Sequence, residues 1–178
     1  MNKGGGHRPV LLREVIEYLN PQSGGIFLDG TIGSGGHAYE IIKFSSPNGR
    51  LIGIDCDVEA IDIAKHELKE FGNRVELIQD NFKNVKMIFN EMQISSLDGA
   101  ILDLGVSSHQ LDSAERGFSF LRDVPLDMRM DLGEELTAFD LVNKLPQKEL
   151  EKILWQYGEE RWARRIVRSI MTVSYTHL

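Results

Sequence analysis

The chain has 178 residues, one cysteine and a formal net charge of −7. A single cysteine allows no intrachain disulfide and no thiolate zinc cluster and agrees with a reducing, cytoplasmic compartment, while the acidic balance argues against broad, non-specific binding to nucleic acid, which needs clustered Lys and Arg. No run approaches the ~18 consecutive apolar residues of a membrane span, and the opening M-N-K-G-G-G-H lacks the apolar core of a signal peptide.

Met1 to Gly6 reads as a disordered polar lead. Val10 to Leu19 places Leu11, Leu12, Val15, Ile16 and Leu19 at helical spacing, and Asn20 to Gly25 ends that helix. Ile26 to Leu28 is a short buried strand that opens into D-G-T-I-G-S-G-G-H, after which Ala38 to Phe44 is helical. Glycine at 30, 33, 35 and 36 lets a ligand lie directly against main-chain N–H groups. The unit then repeats. Leu51 to Ile54 is a strand ending at Asp55, Val58 to Phe71 a helix stopped by Gly72, and Val75 to Ile78 a strand running into Asp80, Asn81 and Phe82. Lys83 to Met92 carries the helical spacing again, and Ala100 to Leu102 is a strand that ends at Asp103.

Strands alternating with helices at this spacing predict parallel βαβ units and a doubly wound α/β sheet, with ligands beyond the carboxyl ends of the strands. The style changes after Asp103: a polar stretch without clear period leads to three helices. The first opens at Thr137 on the capping pattern T-A-F-D, and the others are Gln147 to Tyr157 and the basic Glu160 to Met171. The division expected is residues 1–111 as the sheet domain and 112–178 as a helical one. M-T-V-S-Y-T-H-L interrupts a charged helix without a cap, so the chain reads as a fragment with a non-native tail from about Val173.

Each strand end delivers a distinctive residue to one rim: Asp29 with the glycine loop, Asp55, Phe82 just past Asp80, and Asp103. Asp55 lies about 20 residues beyond the glycines, the spacing at which a carboxylate accepts from ribose hydroxyls, so the ligand contains a nucleoside. A P-loop is excluded because no G-K-[ST] follows the glycines. The residues Gly33 to Ala38 can be written G-x-G-x-x-A, which keeps a dinucleotide open. The acidic rim and the absence of Lys or Arg in the loop favour a cation instead, and S-adenosylmethionine carries both a sulfonium and an ammonium. His7, His66 and His177 have no partners at metal spacing, and no metal site is assigned. Arg161, Arg164, Arg165 and Arg168 recur along one side of a helix, either as a basic contact surface or as a solvated face paired with Glu159 and Glu160.

Beyond these readings, H-R-P-V-L-L (His7 to Leu12), L-D-G-T-I-G-S-G-G-H (Leu28 to His37), I-L-D-L-G-V-S-S-H-Q-L-D (Ile101 to Asp112), A-E-R-G-F-S-F (Ala114 to Phe120), P-L-D-M-R-M-D (Pro125 to Asp131) and Y-G-E-E-R-W-A-R-R-I (Tyr157 to Ile166) occur in order. Together they closely resemble the MraW family of methyltransferases, covering roughly its N-terminal half. That resemblance implies a Rossmann-like, S-adenosylmethionine-dependent methyltransferase sheet, represented by its N-terminal strands, with an inserted helical domain. It also implies methyl transfer to the exocyclic N4 of a cytidine in the decoding region of bacterial 16S rRNA, with the small ribosomal subunit as partner and a homodimer left open. By motif, Gly35, Gly36 and His37 contact the cofactor, Asp55 holds the ribose, Phe82 borders the adenine, and Asp103 and Gln110 complete the pocket. His109 stands where many members carry Pro, which leaves the loop after Val106 less rigid.

Asp103 is the candidate catalytic residue, as acceptor of a hydrogen bond from the target amine; the alternative is that it only binds cofactor. Arg116, Phe118 and Phe120 are candidates to clamp or stack on a base, and Arg161, Arg164, Arg165 and Arg168 become RNA-backbone contacts. M-R-M (Met128 to Met130) reads as packing. Two other classes stay in view: a dinucleotide oxidoreductase and a non-catalytic nucleoside-binding module.

Overall fold

The structure is a computed structural model that describes residues 9–121 and 123–177. The expected polar lead, His7 and the terminal Leu178 lie outside the described residues. By contact density the chain divides into two compact units, one up to Ser108 and one from His109 onward.

The first unit alternates helix and strand: α1 (Leu12–Leu19), β1 (Ile26–Asp29), α2 (Gly36–Phe44), β2 (Arg50–Asp55), α3 (Val58–Glu67), β3 (Val75–Gln79), α4 (Val85–Glu91) and β4 (Gly99–Ile101). The four strands form one sheet in the order β3-β2-β1-β4. Every neighbouring pair is parallel, with Leu28 opposite both Ile52 and Ala100, and Ile52 opposite Glu76. The chain therefore winds outward from β1 to β3 and then returns to the other side of β1, which makes the β1/β4 boundary the switch point where ligands of open α/β sheets bind.

Alternation along the strands supplies both faces. Phe27 and Leu51 pack with Ala38, Ile41 and Ile42 of α2 and Ile61 and Ala64 of α3. Leu28, Ile52 and Ile54 point the other way, against Ile88 of α4 with Val85 and Phe89 beside it. Each fully buried Leu or Ile contributes about 1.5–3 kcal/mol relative to exposure. Gly53 of β2 is needed for packing, since a Cβ there would lie 2.6 Å from the Leu77 side chain and 2.7 Å from that of Ile32.

Two helices differ from the sequence pattern. α3 stops at Glu67, and Lys69–Arg74 continues as two short 3-10 turns that meet at a kink, where Gly72 takes φ 56. Phe71 still packs edge-on against Tyr39, with centroids 5.2 Å apart, which is why its helical spacing looked continuous. α4 is preceded by a 3-10 turn at Phe82–Asn84 whose first N–H groups are capped by Asn81, Oδ1 accepting from Lys83 N at 3.0 Å.

After β4 come α5 (Ser108–Asp112), which the polar sequence concealed, a 3-10 turn at Ala114–Arg116, α6 (Ala138–Lys144), α7 (Gln147–Gln156) and α8 (Ala163–His177). α6 carries the capping box read from T-A-F-D: Thr137 Oγ1 accepts from Asp140 N, and the Asp140 carboxylate accepts from Thr137 N, each at 3.1 Å. Lys144 and Thr137 hold the Asp140 carboxyl far below the usual carboxylate range. The backbone of α8 runs on through Val173 to His177, where the sequence suggested an interruption. Among the described residues no helix is long and apolar enough to cross a membrane.

Candidate active site

The carboxyl ends of β1 to β4 converge on the glycine loop. Asp29, the last residue of β1, is 2% exposed and its Oδ1 accepts from Thr31 N at 3.1 Å. Burial pushes this carboxyl up to about 7, with the negative charges of Asp55 and Asp103 adding to the rise and the Thr31 N–H opposing it. Gly30 N–H donates to Ile101 O at 3.0 Å, and a Cβ on Gly30 would sit 2.5 Å from the Leu102 side chain. That glycine serves the closure of β1 on β4.

The loop is then pinned to β2. Ile32 N–H donates to Ile54 O at 3.0 Å, and the Ile32 side chain is 3% exposed, inserted into the core like a bolt. Gly33 (φ 51) and Gly35 (φ 84) take left-handed conformations that other residues adopt only with strain. Asp55, at the end of β2, organises both sides: Oδ2 accepts from Gly33 N at 2.9 Å and Oδ1 from Asp57 N at 3.0 Å. A second lone pair on each oxygen stays available to ribose hydroxyls.

Gly35 caps α2 without any side-chain partner, so the first-turn N–H groups, including those of Gly36 and His37, have no carbonyl four residues earlier to bind and can meet a carboxylate. Gly36 also lets Pro9 lie close, as a Cβ there would be 2.6 Å from Pro9 Cγ.

His37 is 9% exposed, with Nε2 3.6 Å from Asp103 Oδ2 and a buried Nδ1 that has no hydrogen-bond partner among the described residues. Burial pulls the imidazole pKa below its ordinary value, against the opposing charge of Asp103. Asp103 stands open, its side chain 58% exposed, while its N–H donates to Thr31 Oγ1 at 2.7 Å. After β3, Asp80 N–H donates to Asp55 O at 3.0 Å and Asp80 Oδ1 accepts from Asn84 Nδ2 at 2.7 Å, which fixes the turn presenting Phe82, 39% exposed.

Of the residues expected at the site, the first unit brings together Gly35, Gly36, His37, Asp55, Phe82 and Asp103 at one end of the sheet. Such a rim offers carboxylates to a cation, a flat ring to a base and the first-turn N–H groups of α2 to an anion. Sequence reading passed over Thr31 and Ile32. Their signal was slight: one hydroxyl and one apolar residue inside an otherwise glycine-rich loop.

Gln110 belongs to α5 and the second unit, where it is buried and hydrogen-bonded or otherwise engaged. In that unit Arg116 departs from the expectation of an RNA contact. It is 2% exposed, and Nη2 donates to the carbonyls of Arg129 and Met130, each at 3.0 Å. Its own carbonyl accepts from Met128 N at 2.9 Å, so the residue ties A-E-R-G to P-L-D-M-R-M-D. Asp127 accepts from Arg129 Nη2 at 2.7 Å within the same knot, and that pairing holds the Asp127 carboxyl below its ordinary value. We expect Arg116→Ala to lower the stability of this unit by about 2–4 kcal/mol, since it removes two buried hydrogen bonds and leaves a cavity. Thermal unfolding followed by circular dichroism measures it; an unchanged melting temperature would return Arg116 to the surface.

Phe118 is half-buried and Phe120 is 96% exposed. Arg161, Arg164, Arg165 and Arg168 are all exposed, and Arg164 lies 3.7 Å from Glu151 of α7. Glu160, a partner of this face in the solvated-face alternative, accepts from Trp162 N at 2.7 Å. Trp155, Tyr157 and Trp162 are exposed around the same α7–α8 turn, and the sequence reading assigned none of them a role. Among the described residues no group of His, Cys, Asp or Glu is arranged to hold a metal ion.

A family model described as the MraW methylase family matches residues 5–177. Ribosomal RNA small subunit methyltransferase H of Geotalea uraniireducens (strain Rf4) is 54% identical over 165 residues, 93% of this chain and 53% of the relative. The protein of that name from Geobacter sp. (strain M21) is 52% identical over the same shares of both chains. A solved SAM-dependent methyltransferase from Aquifex aeolicus aligns with 40% of this chain and 38% of its own, at 21% identity and a TM-score of 0.36. The chain spans about half the length of the curated relatives it matches.

Proposed function

The chain belongs to the MraW methylase family, and on that premise we propose that it is the N-terminal part of an S-adenosylmethionine-dependent enzyme methylating N4 of a cytidine in the decoding region of bacterial 16S rRNA. The observation that carries this reading is the rim itself: carboxylates at the ends of β1, β2 and β4 surround a left-handed glycine loop at the switch point of the sheet. That charge suits a sulfonium and an ammonium. It repels the pyrophosphate of a dinucleotide, which makes the oxidoreductase the weaker reading.

Each residue then has a task. Asp55 accepts from the ribose hydroxyls, Phe82 lies along the adenine, and the first-turn N–H groups of α2 hold the carboxylate of the amino-acid moiety. Asp29 faces the cationic end. When bound, S-adenosylmethionine supplies a methyl group whose C–S bond electrons stay on sulfur as the amine nitrogen takes the carbon. A cytosine N4 lone pair is conjugated into its ring and is a poor nucleophile. Asp103, open to solvent beside the loop, accepts a hydrogen bond from that amine so that the nitrogen pyramidalises, and it takes the one surplus proton after transfer.

The cytidine must be presented unstacked. Phe118 and Phe120 are candidates to stack on it, and Arg161, Arg164, Arg165 and Arg168 to hold the flanking phosphates; by family resemblance Gln110 is a further cofactor-contact candidate. Binding of this chain to S-adenosylmethionine and to NAD is compared by calorimetry. The chain extended to the length of its relatives is then incubated with small subunits lacking the mark, and the nucleosides are analysed by mass spectrometry. We expect S-adenosylmethionine binding and N4-methylcytidine. NAD binding would favour the oxidoreductase, and cofactor binding without any methylated nucleoside would leave a nucleoside-binding module.

A further inference from the structure

We propose that the His37 side chain is a positioning residue for Asp103: a neutral imidazole held in the Nε2–H tautomer, whose outward proton fixes one carboxylate oxygen so that the other meets the amine. The proposal rests on the reading of Asp103 as the amine's hydrogen acceptor. Family likeness marks His37 as a cofactor contact, and its backbone N–H in the first turn of α2 suits that role. Its side chain does something else.

Nδ1 is buried and, among the described residues, meets no donor or acceptor. A proton placed there would be an unsatisfied buried donor, a costlier defect than an unsatisfied acceptor. The proton therefore belongs on Nε2, the nitrogen that faces Asp103 Oδ2 at 3.6 Å. That separation is too long for a hydrogen bond in the free protein. It closes by a small rotation of a carboxylate whose side chain is 58% exposed, as catalytic hydrogen bonds do when ligand arrives. Asp103 is then gripped at two points, its N–H by Thr31 Oγ1 at 2.7 Å and its Oδ2 by His37, with Oδ1 left to work. The burial that lowers the imidazole pKa keeps it neutral near pH 7. Asp103 is the charged group it faces; Asp29 and Asp55 complete the acidic rim.

Two measurements test this. In histidine-labelled chain, 15N NMR should show His37, assigned by its loss in His37→Gln, as the neutral Nε2–H tautomer at pH 7, and Asp103→Asn should lower its titration midpoint further. The Nδ1–H tautomer, or a midpoint indifferent to Asp103, would overturn the proposal. In the chain extended to the length of its relatives, His37→Leu should lower kcat about 10–100-fold, as loss of an orienting partner does elsewhere. The Kd for S-adenosylmethionine should stay within about twofold, and His37→Gln, which keeps an N–H donor, should restore most of the turnover. A raised Kd with kcat unchanged would make His37 a cofactor ligand only. Failure of the unsubstituted enzyme to methylate cytidine would instead sink the functional reading, and the NMR result would still decide the His37–Asp103 pairing.

Discussion

Asp103→Asn should cut single-turnover methyl transfer to cytidine about 10²–10⁴-fold, the range that a positioned general base contributes. Its shape is preserved and the backbone bond to Thr31 Oγ1 does not depend on the side chain, so the loop keeps its form. Asn still presents an oxygen to the amine but cannot take the proton. The rim loses one negative charge, and because the Asp103 side chain is 58% exposed, S-adenosylmethionine affinity should fall by less than about tenfold. Turnover and affinity are read separately, by rapid quench and calorimetry. Full turnover with weakened affinity would make Asp103 a cofactor ligand and nothing more.

The second large effect concerns Asp29. An aspartate ionises near 3.8 when unfolded and this one near 7 when folded. Below the lower value both states hold the proton and no difference exists. Between the two, only the folded state holds it, so this group makes stability fall as pH rises from about 4 to 7, and above that the penalty is fully present. A gap of that size corresponds to about 4 kcal/mol. Asp29→Asn should remove the slope and gain about 1–3 kcal/mol at pH 8, less than the whole because a buried amide N–H needs a partner. Urea unfolding at pH 4.5 and pH 8 measures it; a variant whose stability keeps the same pH dependence would rule the assignment out. Cation binding should be linked to the same proton. In the unsubstituted chain, affinity for S-adenosylmethionine rises through pH 7 with proton release, and in Asp29→Asn both the release and much of the affinity disappear.

How far the sequence carried can be judged residue by residue. Strand alternation and the glycine loop foretold β1 to β4 and the residues their ends deliver, because a parallel sheet converts sequence order directly into a row of neighbours. T-A-F-D foretold the cap of α6 because a capping box is local. What spacing could not reveal was where a side chain goes once two distant segments meet. Arg116 lies in a polar loop and reads as exposed, yet carbonyls of Arg129 and Met130 draw its guanidinium inside. The apposition of His37 and Asp103 spans 66 positions of chain and exists only because β4 returns beside β1. α5 was hidden because its one turn offers no period to detect.

The Ile32 bolt has a consequence for how the site and the scaffold communicate. A glycine-rich loop left to itself would have to surrender its conformational freedom when a ligand arrives, and affinity would be lowered by that ordering. Here one apolar side chain, seated against Gly53 of β2, has already fixed the loop during folding. By reciprocity, whatever tightens the loop also tightens the sheet beneath it. Occupancy of the site and the opening of β2 are thus linked equilibria, and the pocket cannot loosen without the core yielding with it.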